Sequence, residues 1–540
     1  MSSPIRRAPG RLATLGCAAL VATSLAGCGS VKSITGGGSS APITVGTINT
    51  TSVLDPAGAY DFGSWLILEN TFQGLYKFPV GATSPQPDAA QNCQFSADAL
   101  TYTCTLRQGL TFSNGHSLTA QDVVFSMDRM KKINDPNGPA SLFGTVKSVE
   151  AQGDLGVVFH LTQPDAVLPD KLASGAGSIV DHTVFPADKE LPNDQLVGSG
   201  PYKIDSVDET AGPGGEKEPS KVSLSANSKY QGDDKPTSSK VAVRYFNDRT
   251  QLKSALDNGQ VDMADNSLDP KVAAQLQQAQ LAGTGTLKVT SVDSADSSML
   301  VFNTKDQTMG QQAVRQAVAQ LVDRDAIAST VYADTVQPLY SLIPQGIAGH
   351  NTAFFDKYGQ PDAAKAKAIL AAAKITTPVK FTLSVTGATG GSGTTTSAML
   401  KKQLESSGLF QVTIQQVADW DAFRQGQQNG SYQAYTVGWS ADYPDPEDFV
   451  APLVVDGGAF HNGFDDPVIS QQLLPQSQRQ SDRTQAASTF AAIQNQLAVD
   501  VPMVPLTQDK ALYVARPDIT GVESAVDATS IIRFADLGRS

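Results

Sequence analysis

The chain has 540 residues, with Lys+Arg 40 against Asp+Glu 53, a formal net charge of −13 and four Cys. That length exceeds the roughly 250–300 residues at which a single core stops growing, so two or more lobes are expected. Hydrophobic residues at 40% and charged residues at 17% exclude a disordered chain, the acidic balance argues against a nucleic-acid binder, and the main body lacks the run of about 18 apolar residues that spans a bilayer.

At the N-terminus, Arg6, Arg7 and Arg11 precede a short run rich in Leu, Ala and Val, from Leu12 to Leu25. It is too short for a comfortable membrane span and has the layout of an export signal. The run ends in Leu25-Ala26-Gly27-Cys28, which resembles the lipobox of bacterial lipoproteins. The resemblance implies a signal peptide over 1–27 and a diacylglyceryl group on the Cys28 thiol. An ordinary export signal that happens to contain Cys is the other reading. The leader carries three Arg and no acid, so cleavage leaves a more acidic body. Lipid, not charge, would then hold that body at an anionic membrane. Residues 28–41 include Gly36-Gly37-Gly38-Ser39-Ser40, a flexible tether composition.

The body alternates strand and helix patterns. A strand is predicted over Ile43–Ile48, another over Thr101–Leu106, then a helix over Ala120–Lys132 capped by Thr119. Strands over Val157–Leu161, Val222–Leu224 and Val241–Tyr245 lead to a helix over Arg249–Asn258. Next come a strand over Met299–Phe302, a helix over Gln311–Asp323, and an Ala-rich helix over Ala363–Ala373 behind Asp362. A strand over Lys380–Val385 is followed by Gly387–Ser397, a Gly/Thr/Ser stretch read as a surface loop. A helix over Ser397–Ser406, strands over Val412–Val417 and Ala434–Gly438, and a helix over Thr484–Val499 complete the pattern. The class is α/β.

Several motifs then occur in a fixed order. Val53-Leu54-Asp55-Pro56 opens the series, with Asn70-Thr71-Phe72-Gln73-Gly74-Leu75 after it. Leu106–Gly115 and Thr119–Ser126, Val197–Tyr202, Gly259–Asp262 and Val314–Ala317 follow. Gly438-Trp439-Ser440-Ala441-Asp442-Tyr443-Pro444-Asp445-Pro446 and Asp500–Leu506 close it. Together they resemble the solute-binding proteins of ABC importers, in the peptide/nickel family, extracellular solute-binding family 5. The resemblance implies a two-lobed periplasmic-binding-protein-like fold of class II, with an extended lobe I. Lobe I would hold 42–297 with 504–540 returning to it, and lobe II 298–503, the chain crossing at Ser291–Ser298 and Pro502–Pro505.

It also implies a function: capture of a short peptide between the lobes by hinge closure, and delivery to a membrane permease and its ATPase. The protein is expected as a monomer, extracytoplasmic, lipid-anchored at the outer face of the bacterial cytoplasmic membrane, without a nucleic-acid partner. The same fold serves oligosaccharides, nickel chelates and haem in other members, and a ligand sensor is a further reading.

In peptide-binding relatives the aspartate at the position of Asp442 pairs with the ligand α-ammonium. Trp439 and Tyr443 beside it, and Tyr60, Asp61 and Phe62 on the facing lobe, are the implied cleft residues. Asp445 is read as an N-cap, with Pro446, Glu447 and Asp448 in the first helical turn. Some peptide binders carry an Arg where this chain has Thr436, so the partner of a ligand carboxylate stays open between Arg249 and Arg424. Many relatives place a Trp and a Phe where this chain has Cys93 and Cys104. The double replacement implies a cross-strand disulfide, two reduced thiols being the alternative. His116, His160, His182, His350 and His461 are scattered, without metal-ligand spacing, and no nucleophile motif is present. The sequence therefore predicts a binding protein and no enzyme, with no cofactor and no metal; a secreted hydrolase is the remote alternative.

Overall fold

The computed structural model describes residues 41–540 except 52, 213, 214, 216, 387–391 and 456. Cys28, the leader and nearly all of the tether therefore lie outside the described residues. No described helix is long and apolar enough to cross a membrane.

Strand periodicity sets the sheets. Thr101–Leu106 buries Tyr102, Cys104 and Leu106 and turns the residues between them outward, the alternation of a half-buried strand. It pairs antiparallel with Ala90–Phe95 and Gly156–Leu161 in a four-stranded sheet. Cys93 and Cys104 stand directly opposite each other in this hairpin, their sulfurs bonded at 2.02 Å.

A second, eleven-stranded sheet runs through the molecule. Ile43–Thr47 lies parallel to Lys240–Tyr245 at one side. Val379–Thr386, parallel to Phe410–Val417, lies at the other. Joining the sides are two long antiparallel strands, Lys288–Phe302 and Met503–Ala515. Their ladder shifts register twice near the middle, between Asp293 and Ser297 and between Ser298 and Met299. Asp293 pairs with Lys510 and Ser297 with Gln508, so Ser294–Asp296 stand against Asp509 alone, a bulge of the kind that re-aims side chains.

The cores divide at this point. Residues such as Val45, Leu66 and Phe159 pack with Ala511, Tyr513 and Phe534 in one cluster. Two others, around Leu300, Val318 and Leu383 and around Met299, Phe449 and Phe490, draw on the chain between Ala295 and Leu506. The molecule is two-lobed. In the first long strand the change of core falls between Val292 and Ala295. In the second it falls between Leu506 and Ala511, since Val504 and Leu506 are packed with Leu300 and Phe302.

Helix ends follow local chemistry. Asp362 accepts the Ala364 and Lys365 N–H groups at the start of Ala363–Ala372. Thr119 and Asp122 form a capping box on Ala120–Ile133. The stretch expected as a loop over Gly387–Ser397 differs: from Ser392 onward it belongs to the helix Ser392–Ser406.

Candidate functional site

On the first lobe, the site begins with a buried ion pair. Asp55 accepts Arg129 Nη1 and Nη2, each at 2.7 Å, together with the N–H groups of Ala57 and Leu191. That anchors the turn after Pro56, from which the helix Phe62–Thr71 departs. Asp61 is its N-cap: Oδ1 accepts the Ser64 N–H at 2.8 Å and Oδ2 the Thr51 hydroxyl at 3.0 Å. One oxygen of Asp61 thus starts the helix and the other ties the helix start to Thr51, which accounts for this residue locally. Trp65 donates to the Ala59 carbonyl at 3.0 Å, and its ring lies 5.6 Å from that of Tyr60. Trp65 thus steadies both the backbone before Tyr60 and its ring.

On the second lobe, the strand Ala434–Trp439 delivers Trp439 and the chain then bends. Asp448 Oδ2 accepts both the Trp439 indole N–H and the Asp442 backbone N–H, each at 3.1 Å, fixing the bend. Asp445 is not an N-cap. The segment through Val450 is turn, and a helix forms only over Ala451–Val454. Asp445 instead accepts Arg483 Nε and Nη2, each at 2.7 Å.

Across the lobes, the Tyr60 hydroxyl donates to Asp442 Oδ2 at 2.6 Å. No ion-pair partner reaches Asp442 among the described residues; its only nearby cation is Lys171, which acts at longer range. Burial pushes the Asp442 carboxyl up to about 6, against the lowering pull of the Tyr60 bond and Lys171. Burial likewise lifts Glu447 to about 7, and lifts Asp448 well above the carboxylate range with help from Asp442. Such neighbours titrate as a set. A raised folded-state pKa means the folded protein binds protons more readily than the unfolded chain. The contribution is therefore full below about pH 4 and is lost as pH rises through 6–7. The thermal midpoint of the unliganded protein should fall by a few degrees between pH 5 and 8, and the fall should flatten in Glu447→Gln. A midpoint that rises over that range in the wild type would contradict this charge assignment.

Between the lobes lies a cavity of about 380 Å³. Phe62, Arg249 and Asp265 line it from one side, Tyr332, Thr436 and Trp439 from the other, and Asp296 and Asp509 close the floor. Of the residues the sequence singled out, Phe62, Trp439 and Arg249 are in this wall. Tyr60 and Asp442 face each other outside it, joined to Trp439 through Asp448. Tyr443 is a correction. It is 5% exposed and packs with the first lobe's core, so its ring is an interlobe contact and not a wall of the cavity. Arg424 is exposed on the helix Trp420–Gln428 and is not in the lining. The floor acids were missed by sequence reasoning. Their one signal was charge inside strand-forming stretches, as in Val292-Asp293-Ser294-Ala295-Asp296 and Thr507-Gln508-Asp509-Lys510.

Among the described residues, one group brings metal-ligating atoms together: Asp122, Asp181 and His182, within 4.8 Å of one another. It lies outside the cavity and is satisfied internally. Asp122 caps a helix and holds His182 Nδ1 at 2.7 Å, and Asp181 holds His116 Nδ1 at 2.7 Å.

A family model described as bacterial extracellular solute-binding proteins, family 5, matches residues 84–461. The chain is 25% identical over 323 residues to a probable D,D-dipeptide-binding periplasmic protein of Escherichia coli, covering 57% of this chain and 58% of that one. It is 24% identical over 499 residues to an oligopeptide-binding protein of Bacillus subtilis, covering 87% and 88%. Among solved structures, a periplasmic binding protein from Helicobacter pylori in complex with the peptide STSA superposes with a TM-score of 0.76 at 23% identity, covering 92% and 98%.

Proposed function

We propose that this chain, which belongs to the bacterial extracellular solute-binding proteins of family 5, captures short peptides between its lobes and delivers them to the permease and ATPase of an ABC importer. Membership of that family makes it an extracytoplasmic binding protein and not an enzyme. The observation that carries the peptide reading is Asp442, a carboxylate at the meeting of the lobes with one oxygen bound to Tyr60 and no ion-pair partner among the described residues. An α-ammonium would supply the missing charge, and a partly desolvated setting strengthens such a pair. Relatives named for peptide binding support the reading. So does the cavity, whose 380 Å³ falls within the roughly 300–1,000 Å³ of small-ligand sites.

In this reading Phe62 and Trp439 wall the cleft, Tyr60 orients Asp442, and lobe I, from 42–297 with the C-terminal return, swings against lobe II about the two long strands. Native then denaturing mass spectrometry of the purified protein tests it. A released species with peptide fragmentation is expected, and a released sugar or metal chelate would replace the peptide reading. Anchoring by a lipidated Cys28 belongs to the same proposal. Detergent-phase partitioning of the full-length protein should be lost in Cys28→Ala, and a variant that still partitions with membrane would end that part of it.

A further inference from the structure

The cleft carries three carboxylates that the peptide α-ammonium does not use, Asp296 and Asp509 on its floor and Asp265 on the wall beside them. Asp265 is 1% exposed, and its Oδ1 has no hydrogen-bond partner. Asp296 lies in the bulge of the first long strand, and Asp509 is the single residue opposite that bulge. The irregularity therefore turns two acids toward one place, where the lobes join. Asp296 Oδ2 accepts the Ser294 hydroxyl at 2.8 Å, and no side-chain hydrogen bond reaches the Asp509 carboxylate among the described residues. Ser297 beside them is 4% exposed, with an unpartnered Oγ.

Against these three acids the cavity wall offers Arg249 and Lys510. None of the five takes part in an ion pair among the described residues. Arg249 spends Nη1 on the Leu268 carbonyl at 2.7 Å, and its Nε is buried without a partner. The wall is left one charge negative, and its carboxylates have no ion-pair partner among the described residues, although side-chain hydrogen bonds reach Asp265 from Ser267, Thr47 and Asn49 and Asp296 from Ser294 and Ser440. Burial costs them accordingly: Asp265 is pushed up to about 6, and Asp509 to about 7 with help from Asp296. Their oxygens do not converge as metal ligands do, since the only such group among the described residues is the one at Asp122. Spaced acceptors of this kind suit an organic cation, whose several N–H donors reach more than one carboxylate.

We propose that the cleft floor binds a side-chain cation of the ligand, an ammonium or guanidinium, so that the protein selects peptides carrying a basic residue. The inference rests on the peptide reading of the cleft for its ligand backbone and on the floor acids for the charge. Arg249 takes the ligand carboxylate, keeping it from the acids. A neutral side chain would leave the carboxylates desolvated without a counter-charge, which is the source of the selection.

Calorimetry on the full chain tests this with trialanine variants carrying lysine, or isosteric norleucine, at the first, second or third position. At one position lysine should bind at least tenfold tighter than norleucine. Asp509→Asn and Asp296→Asn, each checked for an unchanged thermal midpoint, should bring that ratio near one with norleucine affinity unchanged. Equal affinities at all three positions in the wild type would overturn the proposal while leaving the peptide reading intact. So would a lysine preference that survives in every folded floor variant. If no tripeptide binds, agmatine and cadaverine decide: amine binding lost in Asp509→Asn keeps the floor site and ends the peptide reading, and no amine binding ends both.

Discussion

Replacing Asp442 with alanine should weaken binding of a short peptide by roughly thirty-fold to several thousand-fold. Removing one member of a desolvated charged pair costs about 2–5 kcal/mol, because the other charge is left without a partner, and each 1.4 kcal/mol is about tenfold in affinity. The fold should tolerate the change. Among the described residues Asp442 bonds through its side chain to Tyr60 alone, and the bend that positions it is fixed by Asp448 acting on its backbone N–H. N-acetylation of the peptide should cost the wild type a similar factor and the variant much less, the signature of a shared pair. Equal affinity for free and acetylated peptides in the wild type would remove Asp442 from the site.

The largest loss of stability is expected on the other side of the cleft. Asp55→Ala strands Arg129, which is 2% exposed, beside a vacated site in which Asp55 was 0% exposed. Breaking a buried pair by deleting one partner costs about 3–5 kcal/mol. Here the N–H groups of Ala57 and Leu191 lose their acceptor as well. Denaturant titration should show the loss, and Asp55→Ala with Arg129→Met should recover part of it by removing the orphaned charge. A single variant within 1 kcal/mol of wild type, or a double variant weaker than the single by an additive amount, would show that the pair is not the anchor described. Because this anchor holds the turn that carries Tyr60, the single variant should also bind ligand less tightly.

Legibility in the sequence followed periodicity. Thr101–Leu106 was readable because its buried and exposed residues alternate, and Ala363–Ala372 because Asp362 announces it. The helix Phe62–Thr71 gave no signal: it is buried on nearly all sides, so it has no polar face to mark a period. The second long strand showed no strand pattern, because Pro502 and Pro505 interrupt its start. In this chain Pro505 sits opposite Met299 at a register shift, where a missing N–H is tolerated. Asp442 could be named from its motif, but its partner could not, since Tyr60 arrives from a distant segment on the other lobe. The same holds for Tyr443, whose neighbours decide that it faces a core. Asp265, Asp296 and Asp509 come from three separate stretches, and only the bulge between the long strands brings the last two together.

The division of the cores also sets an order of assembly. The cores of the second lobe draw on the chain between Ala295 and Leu506, and the ends of that stretch are tied by the Phe302 N–H bonded to the Pro502 carbonyl at 3.0 Å. That lobe can finish from one continuous piece. The first cannot, because the cluster begun at Ile43 is completed by Ala511, Tyr513 and Phe534. At roughly 5–20 residues per second of synthesis, its early strands wait on the order of tens of seconds for the segment that covers them. The lobe made first is the last to close, with apolar strand faces uncovered in the interval. Removing only the segment from Ala511 onward should for the same reason open a core that starts near the beginning of the described chain, while sparing the lobe that lies between.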